Sequence, residues 1–121
     1  MPFGGGKYTY EVVDGWGRLP KGWKFGWIPA VACDSQDRVY VFSRSEHPMV
    51  VFDRDGNFVA SWGEDVFTSQ SAHGIYIDRD DFVWTTEWLQ HCVRKWTTDG
   101  KLLLTIGMRS EERRVGKECR L

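Results

Sequence analysis

The residues from Ala30 to Gly63 set a pattern that the chain then repeats. Asp34 comes back as Asp78, Val39 as Val83, Phe52 as Trp96, Gly56 as Gly100 and Gly63 as Gly107, a constant step of 44 positions. Such a chain is a row of like units, each leaning on its neighbour.

Within the first copy, Ala30–Cys33 is a short apolar run, Arg38–Ser43 and Pro48–Phe52 are rich in valine and aromatic residues, and Asn57–Trp62 closes the unit. These read as four strands. The segments between them, Asp34-Ser35-Gln36-Asp37 and Asp53-Arg54-Asp55-Gly56, are hairpin turns, because aspartate tolerates unusual backbone angles and glycine supplies a positive φ. The second copy predicts strands near 74–77, 82–87, 92–97 and 101–106 around Asp78-Arg79-Asp80-Asp81 and Thr98-Asp99-Gly100. A period of about 40–45 residues with four short strands per copy is the pattern of β-propeller blades. The expected fold is therefore all-β: two four-stranded antiparallel blades, residues 30–63 and 73–107, plus one extra strand of a truncated propeller ring.

The flanks follow from that frame. Residues 1–7 are Gly-rich and expected to be frayed. Residues 8–17 alternate as a strand and end in Trp16-Gly17, which mirrors Trp62-Gly63, so they read as the outer strand of a preceding blade. Residues 18–29, punctuated by proline and glycine, read as a connection. Residues 108–121 lose the alternation; RSEERRVGKECR (109–120) resembles the translation of a sequencing adapter, so this tail is read as artefactual or disordered. The alternative is a natural charged helix or solvated tail.

With 16 basic and 17 acidic residues and no basic block, the chain lacks the footprint of a nucleic-acid-binding protein. It has no apolar run of the ~18 residues that a membrane-spanning helix needs, and no secretory signal is visible. Cys33 and Cys92 lack metal-ligand spacing and read as small apolar residues, leaving the compartment unassigned.

Chemistry is expected on one rim. In a four-stranded meander the start of strand one, the end of two, the start of three and the end of four point the same way, which gathers Arg44, Glu46, His47, Trp62, Gly63, His73, Glu87, Trp88 and His91.

The units YEVVDGWGRLPKGWKFGW, DSQDRVYVFSRSEHPMVVFDRDGNFVASWGE and HGIYIDRDDFVWTTE with VRKWTTDGKLLLTIG resemble the NHL-repeat six-bladed propellers, in particular the branch of peptidyl-α-hydroxyglycine α-amidating lyase. The resemblance covers about Tyr8 to Met108. It implies a zinc site whose first histidine opens an inner strand, matching His73-Gly74. It implies a channel calcium held by backbone carbonyls, matching Val31 and Ile75, and an active-site arginine after the second strand, matching Arg44 in Arg44-Ser45-Glu46-His47 with Glu46 where the family has aspartate. Neutral imidazole suits zinc, carbonyl oxygens suit calcium, and guanidinium grips a carboxylate or steadies a phenolate.

The implied reaction cleaves a peptidyl-α-hydroxyglycine into a peptide amide and glyoxylate. The family's other zinc histidines and its catalytic tyrosine belong to later blades, so this chain alone is expected to be inactive. The alternative is a non-catalytic propeller whose rim binds a protein, peptide or saccharide. Glu87 and Trp88 also admit a carboxylate-plus-aromatic reading for such ligands. The expected partners are the missing blades, a peptide or small molecule at the rim, and further copies of the chain if it is isolated.

Overall fold

The structure, a computed structural model, describes residues 2–68 and 70–107. The described residues form ten strands and no helix. A hairpin pairs β1 (Pro2–Gly5) with β2 (Tyr8–Glu11). One antiparallel meander follows in the order β3 (Trp27–Cys33), β4 (Val39–Arg44), β5 (Met49–Phe52), β6 (Phe58–Trp62). A second runs β7 (Ala72–Ile77), β8 (Val83–Glu87), β9 (Cys92–Trp96), β10 (Leu102–Ile106). The two repeats are thus two four-stranded sheets, as the period required.

The turn carboxylates explain why these segments fold locally. Asp34 Oδ1 accepts from the amides of Gln36 and Arg38, and its Oδ2 accepts from Arg38 Nε at 2.7 Å and Tyr40 Oη at 2.8 Å. Asp78 does the same with the amides of Asp80 and Phe82, and Trp84 Nε1 replaces the tyrosine hydroxyl at 3.0 Å. One side chain therefore closes the turn and pins the aromatic residue of the next strand. Asp37 and Asp81, at equivalent places, adopt φ of 61° and 62°.

The sheets stack face to face, with β3 and β7 side by side. Between them Tyr40, Phe42, Met49, Val51, Trp62 and Trp96 form a closed core with Phe67 from the linking loop. A second core lies on the other side of the first sheet, where Trp16, Leu19 and Trp23 cover Val41, Val50 and Phe52. Each fully buried large apolar side chain contributes about 1.5–3 kcal/mol, so these two clusters hold the molecule together.

Several local expectations need correction. Residues 2–5 are a paired strand rather than a frayed end; Gly4 and Gly6, at φ of 92° and 62°, permit the tight turn that folds them back on β2. Among the described residues β2 pairs with β1 alone, so the expected outer strand is half of a hairpin, and of residues 8–17 it is the Trp16-Gly17 end that docks on the first sheet. β3 begins at Trp27 and β7 at Ala72, earlier than the apolar runs suggested, because each carries a register shift near its start, between Trp27 and Ala30 and between Ala72 and Gly74. The adapter-like tail lies outside the described residues.

Candidate functional site

The geometry at the mouth of the two sheets is set by Gly26. Its amide donates to Ser43 Oγ at 3.0 Å, and a side chain there would collide with the Arg44 carbonyl, so only glycine lets the loop of residues 22–26 lie down on the end of β4. A cavity of about 340 Å³ opens on one side, lined by Trp23, Lys24, Phe25, Ser45, Glu46 and His47 together with Gly22 and Gly26. On the other side Gly26, Trp27, Arg44 and Gln70 line a second cavity of about 230 Å³. Trp27 is 80% exposed, an unusual fate for an indole.

Arg44 joins the two sheets. Its Nε donates to the Ala72 carbonyl at 2.9 Å, which places the guanidinium beside the start of β7, one residue from His73. Trp88 holds the same corner from the second sheet, its amide on the Ser71 carbonyl and its Nε1 on the Gln70 carbonyl at 3.0 Å. His47 stacks flat on Trp23, with ring centroids 3.5 Å apart and planes 4° apart. Its Nδ1 is buried without a hydrogen bond and faces Glu64 at 3.9 Å.

His73 is exposed at the extra position of the β7 register shift. Gly74 beside it has a packing reason, since a Cβ there would stand 2.7 Å from Thr86 Oγ1. Val31 and Ile75 occupy equivalent places on the adjacent inner strands, Val31 exposed and Ile75 packed against the core between the sheets. Zinc takes about three or four protein donors and calcium about six to eight oxygens. Among the described residues no group of three or more His, Cys, Asp or Glu side chains stands close enough to hold a metal. One imidazole and two backbone positions fall short of a complete shell for either ion.

Two expected rim residues lie elsewhere. Trp62 is buried between the sheets, its Nε1 donating to the Thr98 carbonyl at 3.2 Å across the interface. Glu87 is buried against Arg94, with Ser71 Oγ donating to its Oε1 at 2.7 Å and the Cys92 thiol 3.6 Å from Oε2. Burial lowers the pKa of Arg94 from its usual value and raises that of the Cys92 thiol. Arginine starts so far above neutrality that Arg94 stays charged, whereas Cys92 stays a protonated, inert thiol. The carboxylate-plus-aromatic reading of Glu87 and Trp88 fails for this reason: the carboxylate is spent inside.

Sequence reasoning passed over the Trp23–Gly26 loop and Arg94. Both left a trace. The loop carries aromatic residues at 23, 25 and 27, too many for a solvated link, and Glu87 and Arg94 replace Ser43 and Val50, two positions that the first copy buries.

No protein-family model and no curated protein matches the chain.

Proposed function

We propose that this chain is two consecutive blades of an NHL-type β-propeller, and that the rim around Gly26 binds a peptide-like ligand, with Arg44 as the group that grips its carboxylate. The observation that carries the reading is the fixing of the Arg44 guanidinium by Nε on the Ala72 carbonyl, between an exposed indole and the strand that bears His73. A planar fork held at one nitrogen is pre-organised for a carboxylate, and the Trp27 ring offers an apolar face to the residue before it.

In an intact ring this corner is where a lyase-like reaction on a peptidyl-α-hydroxyglycine would be staged, His73 supplying one donor and later blades the rest. The two blades alone do not catalyse. A second reading, peptide or saccharide binding without catalysis, is favoured by the aromatic cavity of Trp23, Phe25 and His47, which is complete within this chain.

Titration of the purified chain with a short peptide ending in glycine, and with the same peptide amidated, followed by amide NMR, tests the assignment. The free acid is expected to shift Gly26, Trp27, Arg44 and Gln70 and the amide to leave them in place. Arg44→Ala should abolish the shifts, and no glyoxylate should appear from a hydroxyglycine peptide. Equal responses to acid and amide overturn the role of Arg44, and shifts confined to residues 22–25 and 45–47 favour the second reading.

A further inference from the structure

Trp16-Gly17 at φ 80°, Trp62-Gly63 at φ 91° and Ile106-Gly107 at φ 99° each put a large apolar residue before a glycine in the left-handed region, and each pair of neighbours in that series is 44 or 46 positions apart. The Trp62 indole lies directly over Gly100, its ring centroid is 4.9 Å from that of Trp96, and its Nε1 reaches the Thr98 carbonyl. Trp16 repeats this on the first sheet. A Cβ on Gly56 would stand 2.9 Å from its Cγ, its ring centroid is 5.5 Å from that of Phe52, and its Nε1 donates to the Arg54 carbonyl at 3.1 Å. Gly56, Phe52 and Arg54 sit 44 positions before Gly100, Trp96 and Thr98, so the first sheet offers the same seat as the second.

The face that the first sheet turns to the second carries Tyr40, Phe42, Met49, Val51, Ala60 and Trp62. Its equivalents on the second sheet are Trp84, Thr86, Val93, Lys95, Leu104 and Ile106, all half-buried and uncovered by any described element. Lys95 stands where the first sheet has Val51, its ammonium 4.2 Å from the Phe82 ring centroid and 5.3 Å from that of Trp84. This face ends in Ile106-Gly107 where the first sheet ends in Trp62-Gly63, and the seat at Gly56 is filled by Trp16 of the same chain.

We propose that residues 14–23 act as a built-in stand-in for a preceding repeat: seated on the first sheet, they block the second sheet of another copy from docking there, and unseated they let copies add head to tail. The partner is a second copy of this chain. The seat cannot hold Trp16 and the Ile106 end of another molecule together, so the contest is between an intramolecular and an intermolecular occupant. The intramolecular one wins at ordinary concentrations because its local concentration is far higher. Lys95 adds a second guard, because docking would strip water from its ammonium with no acid on the opposing Val41, Val50 and Phe52 surface. The contact is heterologous, so growth would not end at a dimer.

Sedimentation velocity over about two decades of concentration reads this out. Trp16→Ala is expected to self-associate at least about tenfold more tightly than the unaltered chain, Lys95→Val on that background to tighten it further, and Leu104→Asp to return it to the starting state. Arg18→Ala removes no core ring, only the guanidinium that holds Asn57 and the Asp55 carbonyl, so it shifts association in the same direction by a smaller factor and carries the test if Trp16→Ala unfolds. Folded Trp16→Ala or Arg18→Ala protein that associates no more than the unaltered chain overturns the proposal, and so does association that ignores Leu104→Asp.

Discussion

The two sheets share one backbone plan and differ in what they bury. Facing the N-terminal segment, the first sheet presents Val41, Val50 and Phe52, a dry apolar surface with Ser43 at its end. The equivalent surface of the second sheet, turned toward the first, presents Thr85, Arg94, Trp96 and Glu87; Trp96 Nε1 bonds to Thr85 Oγ1 at 3.0 Å, and the arginine and carboxylate pair with each other. Turn chemistry and strand pairing therefore fix the unit, while its interior is free to be apolar or ionic. The ionic version costs more to build, since two charges leave water and only good geometry repays them. It is also the more fragile one: an orphaned partner is a buried, uncompensated charge.

The largest effect should come from breaking that difference. Glu87→Ala is expected to cost about 3–5 kcal/mol by stranding Arg94, and Arg94→Ala a similar amount by stranding Glu87. Importing the first sheet's residues at both places, Glu87→Ser with Arg94→Val, should be neutral or stabilising by about 1–4 kcal/mol. Urea unfolding measures all three. A double variant as weak as either single one would mean that the two sheets are not interchangeable frames.

Next in size are the seated indoles. Trp62→Ala removes a buried ring from the core between the sheets and should cost about 3–5 kcal/mol. Trp16→Ala should cost less, because that ring is half-exposed and covers only one sheet. Thermal unfolding of the two variants checks the order, and the reverse order would show the N-terminal segment to be the stronger joint.

The smallest contrast is between the turn carboxylates. Burial opposes ionisation of Asp34, but the Tyr40 hydroxyl, the Arg38 side chain and amide and the Gln36 amide outweigh it and hold the carboxyl below its ordinary 3.8. Asp78 is lowered first by the Trp84 indole and then by the Phe82 and Asp80 amides, in a more open setting. A carboxylate with a depressed pKa in the fold adds stability that is present above the unfolded value and is lost as pH falls through the folded one. Both therefore stabilise at neutral pH and fail in acid below about pH 4. Asp34→Asn should cost about 1–3 kcal/mol at neutral pH and flatten the acid limb of the stability curve, whereas Asp78→Asn should do the same less strongly. Equal acid limbs for the two variants would remove the distinction.

The sequence showed the fold where physics is local or periodic. The 44-residue step, the aspartate turns and the glycines at positive φ each have one structural meaning, and the two meanders followed. It misled where the outcome depends on neighbours. Gly4 and Gly6 look like slack until β2 is there to receive the strand. Glu87 reads as a rim acid from its place on β8, and its partners inside, Arg94 in the next strand and Ser71 before β7, are not visible from that place. Trp62 ends its strand at the mouth, yet the twist of the sheets carries its ring to the Thr98–Gly100 turn of the other sheet. Of the expected site, Arg44 and the strand bearing His73 do meet, while among the described residues no further side-chain donors gather beside that imidazole to complete a metal shell.

One unit occurs twice, and Trp16-Gly17 sits on the first sheet as Trp62-Gly63 sits on the second. A nuclear Overhauser spectrum of the labelled chain tests it directly. Contacts from the Trp16 ring to Gly56 and Phe52 are expected to match those from the Trp62 ring to Gly100 and Trp96. Contacts from Trp62 alone, with Trp16 showing none to the first sheet, would contradict it.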